Sequence, residues 1–337
     1  MSRVQDSCVI ESRIWVSRNI ADFPFPSIMT KDLRHKLISE LEHVFQSEAI
    51  RKNYHLSWQS GRDVGYAEQL MLQVKYGFNH KRFEDKGYQM VQDPTENLMI
   101  FVGTDDHLRI QKHQFGLTLG ALWDQLSALD DQLDNALEYA FDPTLGYLTS
   151  HVTDVGTGVH ASVLMHLPAL TETGYIEWVN HAASQLGLSV SEHYGRENKG
   201  LGALYRIQNH VTLGHTEWEI IDTMTEVVRQ ISIKEEDALQ TLVVSKRLEL
   251  EDRLYRSLGV LRSARLMERD EMLEHLSSIR MGIRAQILKN IPIEGLDELI
   301  FKTDSGVLQL ESERILNALE LKAQRASLCR AFFIEEA

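Results

Sequence analysis

The chain has 337 residues, and at roughly 100–200 residues per domain this length predicts about two domains. Its 35 lysines and arginines stand against 49 aspartates and glutamates, and the net charge of −14 disfavours general binding to nucleic acid. An apolar content of 43% excludes wholesale disorder. Two cysteines, Cys8 and Cys329, cannot build a disulfide framework or a thiolate zinc site. No signal peptide and no apolar run of about 18 residues is visible, so we expect a cytoplasmic location and no membrane span.

The first two thirds of the chain mix helical and strand-like patterns. Thr30 precedes a segment with apolar residues at helical spacing, and residues 116–139 show the same periodicity. Residues 97–103 (NLMIFVG) are β-prone, and alternation at Leu108 and Ile110 indicates a strand directly after them. Further strands are predicted at residues 159–167 and 203–208. Because the connections are short and of hairpin type, we predict an α+β fold with an antiparallel β-sheet flanked by helices.

The last third of the chain has a helical composition from about Lys234 onward. Apolar stripes are carried by Leu248, Leu250, Leu254, Leu258 and Leu261, and by Leu308, Leu310, Ile315 and Leu319. A boundary near Ser245 gives a catalytic domain at residues 1–245 and an all-helical C-terminal domain at 246–337. A helical region of about 90 residues has little volume in which to bury this apolar surface, so a homodimer is predicted.

A polar segment at residues 103–109 (GTDDHLR) joins two of the predicted strands. Carboxylates, an imidazole and a guanidinium in one short segment suit a general base combined with an anion clamp. Because Gly, Thr and Asp are also ordinary turn residues, a plain polar turn is the alternative. His107 and His113 share a strand face, but without an obvious third ligand no metal site is predicted.

Two glycine-containing segments are candidates for ligand contacts. Gly156 and Gly158 precede a predicted strand, where free N–H groups suit a phosphate and a plain turn is the alternative. Residues 192–202 (EHYGRENKGLG) are typical of a mobile loop that closes over a ligand, or of a simple connecting loop. The loop residues of interest are Gly195, Arg196, Lys199, Gly200 and Gly202.

Taken together and in order, these segments resemble the phosphagen (guanidino) kinase family. Residues 12–19 (SRIWVSRN) are similar to its S-R-x-R-x-x-R-N/S element, and residues 106–110 (DHLRI) to the end of its N-E-E-D-H-L-R-I motif. Residues 145–149 (LGYLT) and 153–170 are similar to its G-Y-L-T-x-C-P-T-N-x-G-T-G-x-R-A-S-V strand pair.

The C-terminal third resembles one branch of that family, the bacterial protein-arginine kinases of the McsB type. The segments that carry this likeness are residues 247–257 (RLELEDRLYRS), 279–282 (IRMG) and 325–330 (RASLCR). With these segments included, the resemblance covers nearly the whole chain.

The resemblance implies an ATP-dependent kinase that phosphorylates arginine side chains in proteins, with Mg²⁺ bridging the phosphates. It implies that Arg13, Arg18 and Arg109 bind the ATP phosphates and that Asp105 stands at the position of the catalytic base. Such guanidinium groups suit a phosphoryl transition state, because that state spreads negative charge over its equatorial oxygens. The partners implied are protein arginine side chains, a zinc-binding activator protein and the Clp ATPase and protease machinery.

The sequence also departs from the family pattern at several of its site positions. Arginines of the family are replaced by Trp15, His160 and Ser191, the glutamate pair by Thr104 and Asp105, and a cysteine by His151. The family's R-D-x-x-R-A element reads LKAQRA at residues 321–326. Neutral side chains do not replace a guanidinium, because only the guanidinium holds a permanent charge in a planar fork of donors.

The leading hypothesis is therefore a divergent protein-arginine kinase homologue with weakened or lost phosphoryl transfer, retained as a regulatory or binding pseudokinase. Removal of one fixed charge-stabilising donor costs about 10²–10³ in rate, so three losses are severe. The first alternative is an active protein-arginine kinase with a rearranged phosphate clamp and Asp105 as base. The second is a dimeric scaffold in a Clp protease or stress-response system.

Overall fold

A twisted antiparallel sheet forms the centre of the molecule, which is a computed structural model that describes residues 7–83, 87–193, 201–312 and 314–335. The strands are β1 (Val9–Arg18), β2 (Ser57–Ser60), β3 (Gln89–Asp93), β4 (Leu98–Val102), β5 (Leu108–Phe115), β6 (Phe141–Asp142), β7 (Gly146–Tyr147), β8 (Val159–His166), β9 (Leu188–Glu192) and β10 (Leu204–Asn209). In these residues the main sheet is eight-stranded with the order β2-β3-β4-β5-β1-β8-β10-β9, and β6 pairs with β7.

Helices flank this sheet and make up the C-terminal region. They are α1 (Lys31–Phe45), α2 (Glu48–Arg51), α3 (Tyr66–Tyr76), α4 (Leu119–Asp134), α5 (Pro168–Glu172), α6 (Ile176–Ser184), α7 (Glu217–Ser245), α8 (Arg247–Ser263), α9 (Arg269–Arg284), α10 (Ile293–Lys302), α11 (Ser305–Leu310) and α12 (Ala318–Glu335). The predicted antiparallel sheet flanked by helices is thereby confirmed. Among the described residues, no helix is both long enough and apolar enough to cross a membrane.

The main hydrophobic core lies between one face of the sheet and the helices α4 and α7. Alternate residues of the central strand β1, such as Ile14 and Val16, are fully buried there. They pack with Leu126 of α4 and Val228 of α7. Because side chains alternate across a strand, the residues between them point to the opposite face of the sheet. That opposite face carries polar residues.

A second core lies among the C-terminal helices and closes over one end of the polar face. Leu164 of β8 and Leu204 of β10 are buried in it beside Leu276 and Phe333. In the first leucine stripe, Leu248 is 79% exposed whereas the other four leucines are buried. The second stripe, predicted as one helical face, is wrong, since α11 ends at Leu310 and α12 begins only at Ala318. Its members other than Leu308 are exposed: Leu310, Ile315 and Leu319.

Candidate functional site

The polar face of the sheet gathers several of the predicted site residues. On β1, Arg13 lies opposite His113 of β5 and Trp15 lies opposite His160 of β8. Arg109 of β5 lies opposite Ser17, one alternation further along β1. Antiparallel pairing holds such cross-strand neighbours within about 5.5 Å of each other at Cβ, so these side chains share one surface.

An aromatic stack fills the centre of this face. The rings of Trp15 and His160 are parallel to within 9°, with centroids 4.9 Å apart. The guanidinium carbon of Arg109 lies 4.8 Å from the centre of the Trp15 ring, and Nη2 of Arg109 donates to Gln111 Oε1 at 3.0 Å. Burial, and then the charge of Arg13, lowers the pKa of Arg109 to about 10. Stacking on Trp15 therefore positions the Arg109 guanidinium.

A buried carboxylate neutralises Arg13. Glu11 stands two residues earlier on the same face of β1, and its Oε1 lies 2.9 Å from Nη2 of Arg13. Its Oε2 lies 3.7 Å from Nη2 of Arg206 on β10. Burial alone would raise the pKa of Glu11, but the charges of Arg13 and Arg206 outweigh it and the pKa is lowered. Sequence reasoning missed Glu11, although its i, i+2 spacing to Arg13 was the available signal.

Arg18 does not lie beside Arg13 and Arg109, although the sequence predicted all three arginines on one phosphate site. It lies on the core face of β1, 1% exposed, and its Nη2 lies 2.6 Å from Asp130 Oδ2 of α4. It also donates to the carbonyl oxygen of Thr157 at 2.8 Å and lies 3.7 Å from the ring centre of Tyr147. Because Arg13 and Arg18 are an odd number of residues apart, a regular strand places them on opposite faces. Arg18 thus anchors the core.

A small cavity of about 120 Å³ lies at the end of β4 and β5. Its lining residues include Arg82, Thr104, Asp105, Arg109, His151 and Asp154. Arg82 Nη2 donates to Asp105 Oδ1 at 3.0 Å, and His151 Nε2 lies 3.6 Å from Asp105 Oδ2. The site thus brings Asp105, Thr104, His151 and Arg109 together, and it adds Arg82, which sequence reasoning missed. A carboxylate so placed can orient a guanidinium and accept its proton.

Asp154 connects this cavity to the aromatic stack. Its Oδ1 lies 3.4 Å from His160 Nε2. Burial works against the ionised carboxylate, but the contact and charge of His160 outweigh it, and the pKa of Asp154 is lowered. His160, at a position where the resemblance implies an arginine, therefore faces an anionic side chain of the protein itself.

The neighbours of Asp105 in the predicted polar cluster serve the fold. Asp106 accepts from Asn19 Nδ2 and from the N–H of Ser150, both at 2.7 Å. His107 Nδ1 accepts from the N–H of Ile20 at 2.9 Å, and burial lowers the His107 pKa. Within residues 103–109, Asp105 and Arg109 therefore remain the candidates for a general base and an anion clamp. Across the described ranges, no group of three His, Cys, Asp or Glu residues is arranged to hold a metal ion.

The glycines of the predicted phosphate turn are used for close packing inside the protein. Gly156 donates its N–H to the carbonyl of Tyr147, and a Cβ on Gly156 would come within 2.5 Å of Thr212 O. A Cβ on Gly158 would come within 2.8 Å of Ser17 O. The plain turn is the interpretation that this geometry supports, because the peptide groups pack against each other rather than line a cavity.

The predicted loop at residues 192–202 lies largely outside the described residues, and this holds for Gly195, Arg196, Lys199 and Gly200. Gly202 is described: its φ of +63° favours glycine, and its N–H donates to Glu274 Oε1 of α9 at 3.1 Å. Ser191 lies on β9 opposite Arg206, whose Nη1 donates to Ser162 Oγ at 2.9 Å.

These residues fit a nucleotide triphosphate and its Mg²⁺ poorly. Among the described residues, Arg109 Nε is a buried guanidinium nitrogen on the polar face that makes no hydrogen bond within the protein. Arg13 is engaged by Glu11, and the stacked rings of Trp15 and His160 lie on the same face of the sheet. The cavity beside Asp105, at about 120 Å³, is smaller than the roughly 300–1,000 Å³ of typical ligand pockets.

Comparison with known proteins agrees with the fold. The family described as ATP:guanido phosphotransferase, C-terminal catalytic domain, matches residues 32–239, and that described as protein-arginine kinase McsB C-terminal domain matches residues 247–336. A protein-arginine kinase from Clostridium novyi is 33% identical over 98% of this chain and 96% of its own. One from Brevibacillus brevis is 36% identical over 96% of this chain and 90% of its own.

Solved structures share the fold at lower sequence identity. The duplicated taurocyamine kinase from Schistosoma mansoni has a TM-score of 0.58 at 20% identity, over 68% of this chain and 34% of its own, so this chain spans about a third of it. A lombricine kinase also has a TM-score of 0.58 at 19% identity, over 69% of this chain and 67% of its own. The chain belongs to the ATP:guanido phosphotransferase family, and its curated relatives along nearly the whole length are protein-arginine kinases.

Proposed function

We propose that this chain is a protein-arginine kinase homologue in which phosphoryl transfer is weakened or lost, and that it acts as a regulatory or binding protein. The observation that carries the proposal is the Trp15–His160 stack at the centre of the polar face. Phosphoryl transfer depends almost entirely on positioning and on fixed positive charge around the transferred group. Here the rings of Trp15 and His160 stand at positions where the family resemblance implies guanidinium groups, and the Glu11 carboxylate engages Arg13.

His113 does not supply the missing charge on this face. Burial, as the largest cause, lowers the pKa of His113 to about 4, so this ring next to Arg13 is neutral at pH 7. Since each lost donor costs about 10²–10³ in rate, we expect a transfer rate near background.

A phosphate-transfer assay tests the proposal. The purified protein is incubated with ATP, Mg²⁺ and an arginine-rich protein, and acid-labile phosphate is followed over time. We expect no more transfer than in an Asp105→Ala variant. Robust transfer that disappears in Asp105→Ala would overturn the pseudokinase proposal.

The geometry around Asp105 favours a second candidate, an active protein-arginine kinase with a rearranged phosphate clamp. Asp105 is partly exposed, and Arg82 and His151 both approach its carboxylate. In this reading Asp105 is the base that orients a substrate guanidinium. The same assay separates the candidates, with Asp63→Ala as a matched control because Asp63 lies outside the cavity.

A nucleotide titration separates binding from catalysis. A ligand that binds only the folded protein raises its melting temperature in a saturable manner. If the site retains nucleotide, ATP with Mg²⁺ gives such a rise, and Arg109→Met abolishes it. The absence of any rise is the result expected for a scaffold that has lost its cofactors.

The partners belong to the same proposal: protein arginine side chains, a zinc-binding activator, Clp machinery in the cytoplasm, and a second copy of the chain. Exposed apolar side chains support homodimerisation. Val244 at the end of α7 is 85% exposed, and Leu248 and Tyr255 on α8 are also largely exposed. Leu248 and Tyr255 share a helix face, because they lie two turns apart.

A further inference from the structure

A groove of about 940 Å³ lies beside the outer edge of the sheet, away from the polar-face cavity. Its floor includes Val190, Ser191 and Glu192 of the edge strand β9. One wall comes from α5 and α6, and the other comes from Glu274, Ser277 and Ser278 of α9. The groove therefore lies between the sheet and the C-terminal helices.

The floor of this groove is an open sheet edge. β9 pairs with β10 on one side, and across the described ranges no strand pairs with its other side. The N–H of His193 donates to Leu204 O of β10. Antiparallel ladder bonds alternate along a strand, so the N–H and C=O groups of Val190 and Glu192 point away from β10. An extended chain placed alongside can pair with these groups.

The excess of carboxylates in the groove favours a positively charged occupant. The charged lining residues are Glu172, Glu177, Glu192, Glu274 and Arg253. Arg253 Nη1 lies 2.9 Å from Glu172 Oε2, so this guanidinium is already engaged. Burial raises the pKa of Tyr205 on the floor, the hydrogen bond with Thr171 opposes this, and the carboxylates of Glu192 and Glu177 add to the rise. The two carboxylates thus act on the same part of the floor.

We propose that this groove binds an extended polypeptide segment rich in arginine or lysine, which adds as a strand to β9 and places its cationic side chains against Glu177 and Glu192. Backbone pairing supplies affinity and the acidic walls supply selectivity. The five residues of β9 offer an edge of about 17 Å. The inference rests on the proposed function only in that the segment belongs to a protein recognised through its arginines.

Peptide binding without nucleotide tests this surface. A labelled peptide that alternates arginine and threonine is titrated with the full chain by fluorescence anisotropy, beside the same peptide with citrulline at each arginine. We expect saturable binding of the arginine peptide, and about two- to twenty-fold weaker binding to Glu177→Gln/Glu192→Gln, because exposed ion pairs contribute modestly. The matched control is Glu40→Gln/Glu42→Gln on the distant helix α1, which we expect to bind like wild type.

Hydrogen exchange locates the peptide on the strand edge. We expect the amides of Val190 and Glu192 to exchange more slowly with the arginine peptide bound, and an N-methylated peptide to give no such protection. Equal affinity for the citrulline peptide, an unchanged affinity of the double variant, or no protection at β9 would each overturn the proposal. Since no ATP is present, its failure is distinct from the outcome of the phosphate-transfer assay.

Discussion

Trp15 and His160 each place a ring where the family resemblance implies a guanidinium. A double substitution tests how far nucleotide binding and phosphoryl transfer depend on the missing guanidinium groups. In Trp15→Arg/His160→Arg, two cations would be added to the polar face that carries Arg13 and Arg109, and one would lie beside Asp154. We expect nucleotide-dependent thermal stabilisation and a transfer rate raised by about tenfold or more, because each fixed donor is worth about 10²–10³. Melting temperature with and without ATP and Mg²⁺, and acid-labile phosphate, are the measurements.

The control for this variant removes the stack without adding charge. Trp15→Leu/His160→Leu has the same positions and no new cation, so a gain in both variants would show that the rings merely blocked access. No gain in the arginine variant would contradict the charge argument and point to Glu11, which already engages Arg13.

Arg18 has a structural role, and its removal should show in stability. Arg18→Met leaves Asp130 and the Thr157 carbonyl without their buried partner. We expect a loss of about 3–5 kcal/mol in the free energy of unfolding, measured by urea denaturation. In Arg18→Met/Asp130→Leu a substantial part should be recovered, since no uncompensated charge stays buried. Unchanged stability in Arg18→Met would refute this role.

At the residue scale, motif matching predicted Asp105, Arg13 and Arg109 as site residues but could not show which side chains engage them. The strand alternation in β1 was sufficient to separate Arg13 from Arg18, whereas the motif treats them alike. The contact of Arg82 with Asp105 joins residues from different segments, and no local pattern encodes it. Site residues of this kind become visible only when the fold brings them together.

At the element scale, the turn before β8 depends on a glycine for steric reasons. Gly156 has a φ of +120°, and an added Cβ would come within 2.5 Å of Thr212 O. Gly156→Ala should therefore lower the free energy of unfolding by about 2–4 kcal/mol. The contrasting variant is Gly259→Ala in helix α8, where a Cβ meets nothing within 4 Å, and which should stabilise the protein by up to about 1 kcal/mol. Equal effects of the two variants in thermal denaturation would contradict this account.

Amphipathic periodicity predicted most elements because one face of each is buried. The helix after Thr30 forms as α1, with Thr30 as its N-cap, and the segment at 97–103 forms β4. The same rule was wrong for residues 308–319, where the apolar residues lie on α11, in the segment before α12 and on α12 rather than on one helix. The spacing of apolar residues alone does not show where one helix ends and the next begins.

At the scale of the whole molecule, a buried carboxylate on α7 ties helix α5 to the C-terminal helix α9. Glu235 of α7 is fully buried and accepts from the N–H groups of Ala169 and Leu170, at 3.1 and 2.9 Å. Arg284 of α9 donates to it at 3.3 Å and also contacts Glu236 at 3.4 Å. Burial, the largest cause, raises the pKa of Glu235 to about 7 despite Arg284 and these hydrogen bonds.

This raised pKa predicts how stability changes with pH. The folded protein holds the Glu235 proton more tightly than the unfolded chain, whose pKa is about 4.5. Its contribution to stability is therefore fully present below about pH 4.5 and is lost as the pH rises to about 7. Across that window we expect a decline on the order of 2–3 kcal/mol in the wild-type free energy of unfolding, relative to Glu235→Gln.

Because carboxylates with lowered pKa values, such as Glu11 and Asp154, act in the opposite direction, the difference between variants is the informative quantity. Urea denaturation of the wild type and of Glu235→Gln at intervals of pH measures it. Glu236→Gln, which removes the other carboxylate beside Arg284 from a partly exposed position, should keep the wild-type profile. A difference curve that is flat between about pH 4.5 and 7 would show that Glu235 does not titrate in this window. The Arg284 contact would then join the two parts of the molecule as a permanent ion pair.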